Sequence, residues 1–220
     1  MKPTARADQF IHQARLAPDM ANEQSDAVDI TLRSYQAAAQ RYLDFSAAPT
    51  GLSSFLDRFA DAVGPVPILE IGSGPGLDAA YLEQRGIHVS RTDATPAFVE
   101  MMRAAGHVAQ LLDIRTDDLG GPWKAILAQA VLLHLDREQF TNALQRLRRA
   151  VMPGGALALT LKEGDGDLWS NAKLDLPRHF TYWREQPLRD ALAQTGWSVV
   201  SLDHISGRLE PWLYVVAQPT

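Results

Sequence analysis

The chain has 220 residues, of which 46% are hydrophobic and 21% charged, and a formal net charge of −5. That length suits one domain with a sizeable core, and the acidic balance opposes a nucleic-acid partner held through a broad phosphate-binding surface. Because the sequence has no cysteine, disulfides, thiolate-ligated zinc, a cysteine nucleophile and thiolate attack on a pyrimidine ring are all excluded.

Residues 1 to about 25 are mixed and polar, include Pro3 and Pro18, and read as a loose or short-helical lead without an apolar signal core. No stretch reaches transmembrane length, so a cytoplasmic location is expected. Over 26–45, Ile30, Leu32, Tyr35, Ala38, Ala39, Tyr42 and Phe45 recur near helical spacing. Tyr35 and Tyr42 are two turns apart and share a helix face. A second helix is expected over 51–63, ending at Gly64-Pro65. Strands and helices then alternate: VPILEIG a strand, 77–85 a helix, HVSRTD a strand, 96–105 a helix, VAQLLD a short strand and WKAILAQAV a buried one. A helix over 137–150 follows, with Arg146, Arg148 and Arg149 read as solvated charges. Pro153-Gly154-Gly155 is expected to turn the chain into the strand ALALTLK. After a helix over 187–195, GWSVVSLDHI and PWLYVVAQ form two strands whose short connection at Gly207 requires them to be antiparallel. The alternation implies a parallel sheet covered by helices on both faces.

The most informative segment is ILEIGSGPG, from Ile68 to Gly76, where an apolar strand runs into glycines spaced as GxGxG. Asp93 lies at the end of the next predicted strand. Glycines at a strand-to-helix turn let backbone N–H groups approach a ligand, and an acid on the next strand can accept from ribose hydroxyls. The pair predicts a nucleoside-containing ligand at the open edge of the sheet. A dinucleotide fingerprint would place its third glycine where Leu77 stands, and no Lys-Ser or Lys-Thr pair completes a P-loop.

GxGxG preceded by Glu70 and an apolar strand resembles motif I of the class I methyltransferases that use S-adenosylmethionine (SAM). The resemblance covers roughly Tyr35 to the C-terminus. It implies an α/β Rossmann-like fold: a seven-stranded, mostly parallel sheet with an antiparallel C-terminal strand and helices on both faces. It also implies a single methyltransferase domain over 1–220. Within it, a helical lid occupies 1–64, a SAM-binding core 65–220 and an acceptor-side insertion about 163–186. The cofactor residues it implies are Glu70, Gly72, Ser73, Gly74 and Gly76 at the turn, with Asp93 and Ala94 at the ribose. Asp113 and Ile114 follow at the adenine, where Asp117 and Asp118 are rival acids. Gln129 and Ala130 would lie beside the sulfonium. Tyr35 and Tyr42 would line a lid helix near the methionine part, or else only anchor that helix to the core.

Just beyond, LLHL resembles a family turn. His134 there is either a general base toward the acceptor or a residue that packs and hydrogen-bonds against the cofactor loop. The segment LKEGDGDLWSNAKLDLPRHFTYWREQPL combines cations with aromatic faces. Lys162, Arg178, His179, Tyr182 and Trp183 are its candidate acceptor residues; a lid core with solvated arginines is the competing reading. No histidine spacing suits a metal. The expected activity is in-line methyl transfer from SAM, giving S-adenosylhomocysteine, to a small-molecule acceptor, by a monomer or homodimer without membrane or nucleic-acid partners. The competing readings are a non-catalytic SAM-binding regulator, a transfer-RNA wobble-uridine methyltransferase (loosely suggested by PRHFTYWRE) and a nicotinamide-dependent oxidoreductase.

Overall fold

The structure, a computed structural model, describes residues 26–46, 53–207 and 210–220. The expected lead over 1–25 and the first residues of the expected 51–63 helix lie outside the described residues.

The helices are α1 (Ala27–Ala37), α2 (Ala39–Ser46), α3 (Ser53–Val63), α4 (Leu77–Glu83), α5 (Pro96–Ala104), α6 (Arg137–Ala150) and α7 (Glu185–Gln194). The strands are β1 (Ile68–Ile71), β2 (Val89–Asp93), β3 (Ala109–Leu111), β4 (Trp123–Ala128), β5 (Val151–Lys162), β6 (Asp167–Ser170), β7 (Arg178–Thr181), β8 (Trp197–Ser206) and β9 (Pro211–Pro219). Seven of them form one sheet in the order β3-β2-β1-β4-β5-β9-β8. β1 to β5 are parallel, and β9 inserts antiparallel between β5 and β8. The expected class I methyltransferase topology, including the reversed last strand, is therefore observed.

Strand alternation explains why both faces are covered. Leu69, Ile71, Ile126, Leu157 and Leu159 pack on one face with Phe140, Leu144 and Leu147 of α6 and Leu188 and Leu192 of α7. Their neighbours Ile68, Ala125, Leu127 and Ala158 pack on the other with Phe55 and Phe59 of α3 and Leu82 of α4. The α6 apolar residues fall at helical spacing, and a capping box between Asp136 and Gln139 fixes its start.

Three details differ from the sequence expectations. The helix expected over 26–45 is broken at Ala38, which separates α1 from α2. Pro153-Gly154-Gly155 does not precede β5 but lies inside it, as an irregularity where the pairing shifts between Trp123 and Ala125 of β4. The segment after β5 contains an unexpected antiparallel hairpin, β6 with β7. Of the elements expected as a lid, α1 and α2 border the cavity at the sheet's C-terminal edge, whereas α3 packs on the sheet and, among the described residues, reaches that cavity only through Leu56.

Candidate functional site

A cavity of about 1090 Å³ opens at the C-terminal ends of β1, β2 and β4, bounded by α1, α2 and the residues leading into β9. This is where an open parallel sheet leaves its loop amides and strand-end side chains free for a ligand. The glycine turn forms part of its floor. Gly72 has φ +68°, and a side chain there would come within 2.5 Å of Val131, so the turn passes closely beneath the loop after β4. Gly76, at φ +83°, opens α4; a methyl there would press on the Met102 side chain at 3.2 Å. Its contribution is therefore helix packing, and it does not line the cavity, unlike Gly72, Ser73 and Gly74.

Asp93 is buried at the end of β2. One carboxylate oxygen accepts from the Gly74 amide at 2.8 Å, the other from the Thr95 amide at 2.7 Å. Burial raises its pKa, and the two amides work against that shift. Each oxygen retains acceptor capacity toward the cavity, which Ala94 also lines. The carboxylate thus ties the glycine turn to the end of β2, an arrangement that a bound nucleoside would fit. Glu70 on β1 is buried out of the cavity lining, and one of its oxygens has no hydrogen-bond partner. Burial, and then the Asp78 carboxylate, push its pKa up.

Asp113, Ile114, Gln129 and Ala130 also line the cavity. Asp117 and Asp118 do not; the first accepts from the Asp113 amide and the second from the Gly120 amide, so both serve as turn acids. Ala130 stands at φ +51°, in the left-handed region that costs a non-glycine residue about 1–2 kcal/mol. Its amide is held by the Thr160 hydroxyl at 2.9 Å. Thr160 lies in the middle of an apolar strand, where nothing in the sequence singles it out.

His134 is buried and both its ring nitrogens are engaged. Nδ1 lies 2.7 Å from the His179 carbonyl and must donate, so Nε2 is bare and accepts from the Tyr35 hydroxyl at 3.0 Å. Arg178 donates in turn to the Tyr35 oxygen at 3.3 Å. The resulting chain joins β7, α1 and the short 3₁₀ turn Leu132–His134. Burial foremost, opposed by the bond to His179 and helped by the nearby cations Arg178 and Lys162, pushes the His134 pKa down to about 3. Tyr35 and Tyr42 both line the cavity and pack edge to face at 5.2 Å.

The five residues expected to hold the acceptor do not line the cavity. Lys162 pairs with Glu210 at 2.7 Å and lies over the Phe180 ring. Arg178 bonds Tyr35 and the Ala172 carbonyl. His179 Nε2 bonds Asp167 at 2.9 Å, and the Tyr182 hydroxyl donates to Glu210 at 2.7 Å. Trp183 is core, stacked on Phe140 and capped by Arg137. The cations and aromatics of this run turn inward, onto Phe180 and onto Glu210, Tyr35 and Arg137 from other elements, which sequence could not distinguish from an outward surface. The cavity wall on this side comes instead from Ala172, Lys173, Glu210, Trp212 and Tyr214, with Asp78 and Tyr81 of α4. The alternation of PWLYVVAQ could have pointed to Trp212 and Tyr214, which share the strand face opposite the buried Leu213 and Val215.

The sequence matches the methyltransferase-domain family over residues 35–202. The chain belongs to that family. No curated protein matches the sequence of this methyltransferase. Among solved structures it is similar to the 1,6-didemethyltoxoflavin-N1-methyltransferase of Burkholderia thailandensis, with bound 1,6-didemethyltoxoflavin and S-adenosylhomocysteine. The TM-score is 0.74 at 17% identity, over 94% of each chain. It is also similar to the magnesium protoporphyrin IX methyltransferase of Synechocystis PCC 6803, with bound SAM. There the TM-score is 0.72 at 15% identity, over 91% of this chain and 100% of the other. At such identity the likeness establishes the class I fold of this methyltransferase and leaves its acceptor open. No helix among the described residues is long and apolar enough to cross a membrane.

Proposed function

We propose that the chain is a SAM-dependent methyltransferase whose cavity holds SAM and a small-molecule acceptor together. The observation that carries this reading is Asp93, whose carboxylate joins the amides of Gly74 and Thr95 beside the cavity. Ribose hydroxyls take the remaining acceptor sites of Asp93. The turn Gly72, Ser73 and Gly74 lies along the methionine part, Asp113 and Ile114 at the adenine, and Gln129 and Ala130 beside the sulfur. The cavity, about 1090 Å³, slightly exceeds the ~300–1,000 Å³ of ordinary ligand pockets, so it has room for a second, small molecule.

When bound, SAM supplies an electrophilic methyl whose transfer to an acceptor lone pair breaks the S–CH₃ bond and leaves its electrons on sulfur. The chain aligns the acceptor and excludes water, and alignment contributes up to ~7–11 kcal/mol in favourable cases. Tyr35 and Tyr42 close the cavity from above, and His134 holds Tyr35 in place. With both nitrogens bonded, His134 positions the lid rather than taking the acceptor's proton. Tyr214, Trp212, Lys173 and Glu210 face the acceptor. Lys162 is held by Glu210 and Arg178 is buried against the Tyr35 hydroxyl and the Ala172 carbonyl, which supports a small molecule over a polyanion such as transfer RNA.

Calorimetric titration with SAM, S-adenosylhomocysteine and NADH tests this. Wild type is expected to bind the first two and not NADH, and folded Asp93→Ala to lose at least ~10-fold in affinity, two charge-assisted hydrogen bonds being worth more than one tenfold step. Preference for NADH, or no binding of SAM, would sink the reading.

A further inference from the structure

We propose that Arg115 is a positioning residue that couples filling of the adenosine half of the cavity to docking of the lid helix α1. The proposal rests on the reading of Asp113 as the acid at the adenine. Arg115 lies just after β3 and its guanidinium grips three carboxylates at once. It holds both oxygens of Asp113, at 3.1 Å from Nε and 2.7 Å from Nη2. Nη1 reaches Asp26, the N-cap of α1, at 3.0 Å, and Nη2 reaches Asp29 in the first turn of α1 at 2.8 Å. Its side chain is only 20% exposed, so these bonds are partly shielded from water.

The arrangement is a joint and not a chance surface pair. Burial pushes the Asp113 carboxyl up, but the bonds and charge of Arg115 together outweigh burial and leave it below the usual range. The same acid lines the cavity, and Arg115 favours its charged form. Gln139 adds one bond to Asp26, but as a neutral amide it does not offset charge. Among the described residues no other cation touches Asp26, Asp29 or Asp113, so without Arg115 the clamp would become a repulsion between α1 and the adenine loop. At its other end α1 carries Tyr35, which closes the methionine part of the cavity. A ligand that holds only the Asp113 loop can thus stiffen a helix whose other end shapes the reaction site. By linkage, a docked α1 improves nucleoside affinity by the same factor.

Hydrogen exchange of the α1 amides, with and without saturating adenosine, tests the coupling in wild type, Arg115→Gln and Asp29→Asn. Adenosine reaches the ribose and adenine positions but not the methionine end; because Val28 and Leu32 of α1 also line the cavity, the comparison of wild type with Arg115→Gln is what separates the joint from direct contact with the helix. In wild type it is expected to slow α1 exchange ~5-fold or more, the low end of ordinary coupling. Arg115→Gln should still bind adenosine, more weakly, and at saturation show clearly less slowing than wild type. Asp29→Asn keeps the Arg115–Asp113 pair and should show a reduced effect. Equal slowing in wild type and Arg115→Gln would overturn the proposal, as would adenosine binding to wild type with α1 unchanged. If exchange in β4 shows Arg115→Gln to be poorly folded, Asp29→Asn decides alone, and unaltered slowing there overturns it. Failure of wild type to bind either SAM or adenosine would sink the cofactor reading, and this proposal with it.

Discussion

At the scale of single residues, His134 separates two mechanisms. A histidine that takes the acceptor's proton needs a free nitrogen and a pKa near the working pH; this one has neither. His134→Gln is expected to keep activity within ~10-fold, whereas loss of a general base costs about 10²–10⁴. The pH–rate profile should lack a limb attributable to this residue between about pH 5 and 8. A loss of three orders of magnitude, together with a missing acid limb, would return His134 to the role of base. Stability offers a second readout. The folded pKa, about 3, lies below the ordinary histidine value of ~6.5, so the unfolded chain binds the proton first. Any advantage of wild type over His134→Gln is therefore complete above about pH 6.5 and shrinks as acid is added. Glu70 has the opposite sign. Its raised carboxyl is protonated more readily folded than unfolded, so the folded state weakens relative to Glu70→Gln as pH rises. The difference in melting temperature, variant minus wild type, should grow from about pH 5 to about pH 8. A constant difference would mean that Glu70 is charged throughout.

At the scale of elements, the bulge in β5 gives two neighbouring glycines different tasks. A Cβ on Gly155 would lie 2.7 Å from the Lys124 carbonyl and 2.6 Å from a Val151 methyl, while one on Gly154 would meet nothing but sits at φ +69°. Gly155→Ala must therefore push β4 and β5 apart, for about 1–3 kcal/mol, and Gly154→Ala pays only for its left-handed backbone, about 1–2 kcal/mol. Denaturant unfolding should show the larger loss at Gly155, and the reverse order would contradict the bulge geometry. This pair also marks the limit of what the sequence discloses. Pro153-Gly154-Gly155 signals a break, and composition does not say whether the break precedes a strand or bends one. β1, β4 and β5 were legible because burial on both faces makes them short apolar runs; β2, VSRTD, is not such a run, and Asp93 was legible from its place at the end of a segment between two helical stretches. The β6–β7 hairpin was not, since DLWS and RHFT carry no alternation; their pairing is fixed by contacts to α1 and the His134 turn, remote in sequence. For the same reason Lys162, Arg178 and Trp183, expected at the acceptor, do not line the cavity, whereas Lys173, Trp212 and Tyr214 do. Tertiary partners decide which way an amphipathic side chain faces.

For the molecule as a whole, charge decides what class of acceptor can approach. The net charge is −5, and Lys173 is the only lysine or arginine among the described residues lining the cavity, beside the carboxylates of Asp78, Asp93, Asp113 and Glu210. A polynucleotide acceptor would have to bring its phosphates against this surface. Binding through several phosphates is lost by about 10³–10⁵ between ~50 and ~200 mM salt, whereas a small acceptor seated in the cavity releases few counterions. Methyl transfer to a small acceptor is therefore expected to change less than ~3-fold over that salt range. Lys173→Met, which leaves the glycine turn and Asp93 intact, should raise the KM of an anionic acceptor by about 10-fold and leave that of a neutral one unchanged. Radiolabelled methyl from SAM supplies the readout for both, with bulk transfer RNA as the opposing substrate. Incorporation into that RNA, falling steeply with salt, would show that a basic surface exists which the cavity and the net charge do not predict, and the small-molecule reading would have to be given up.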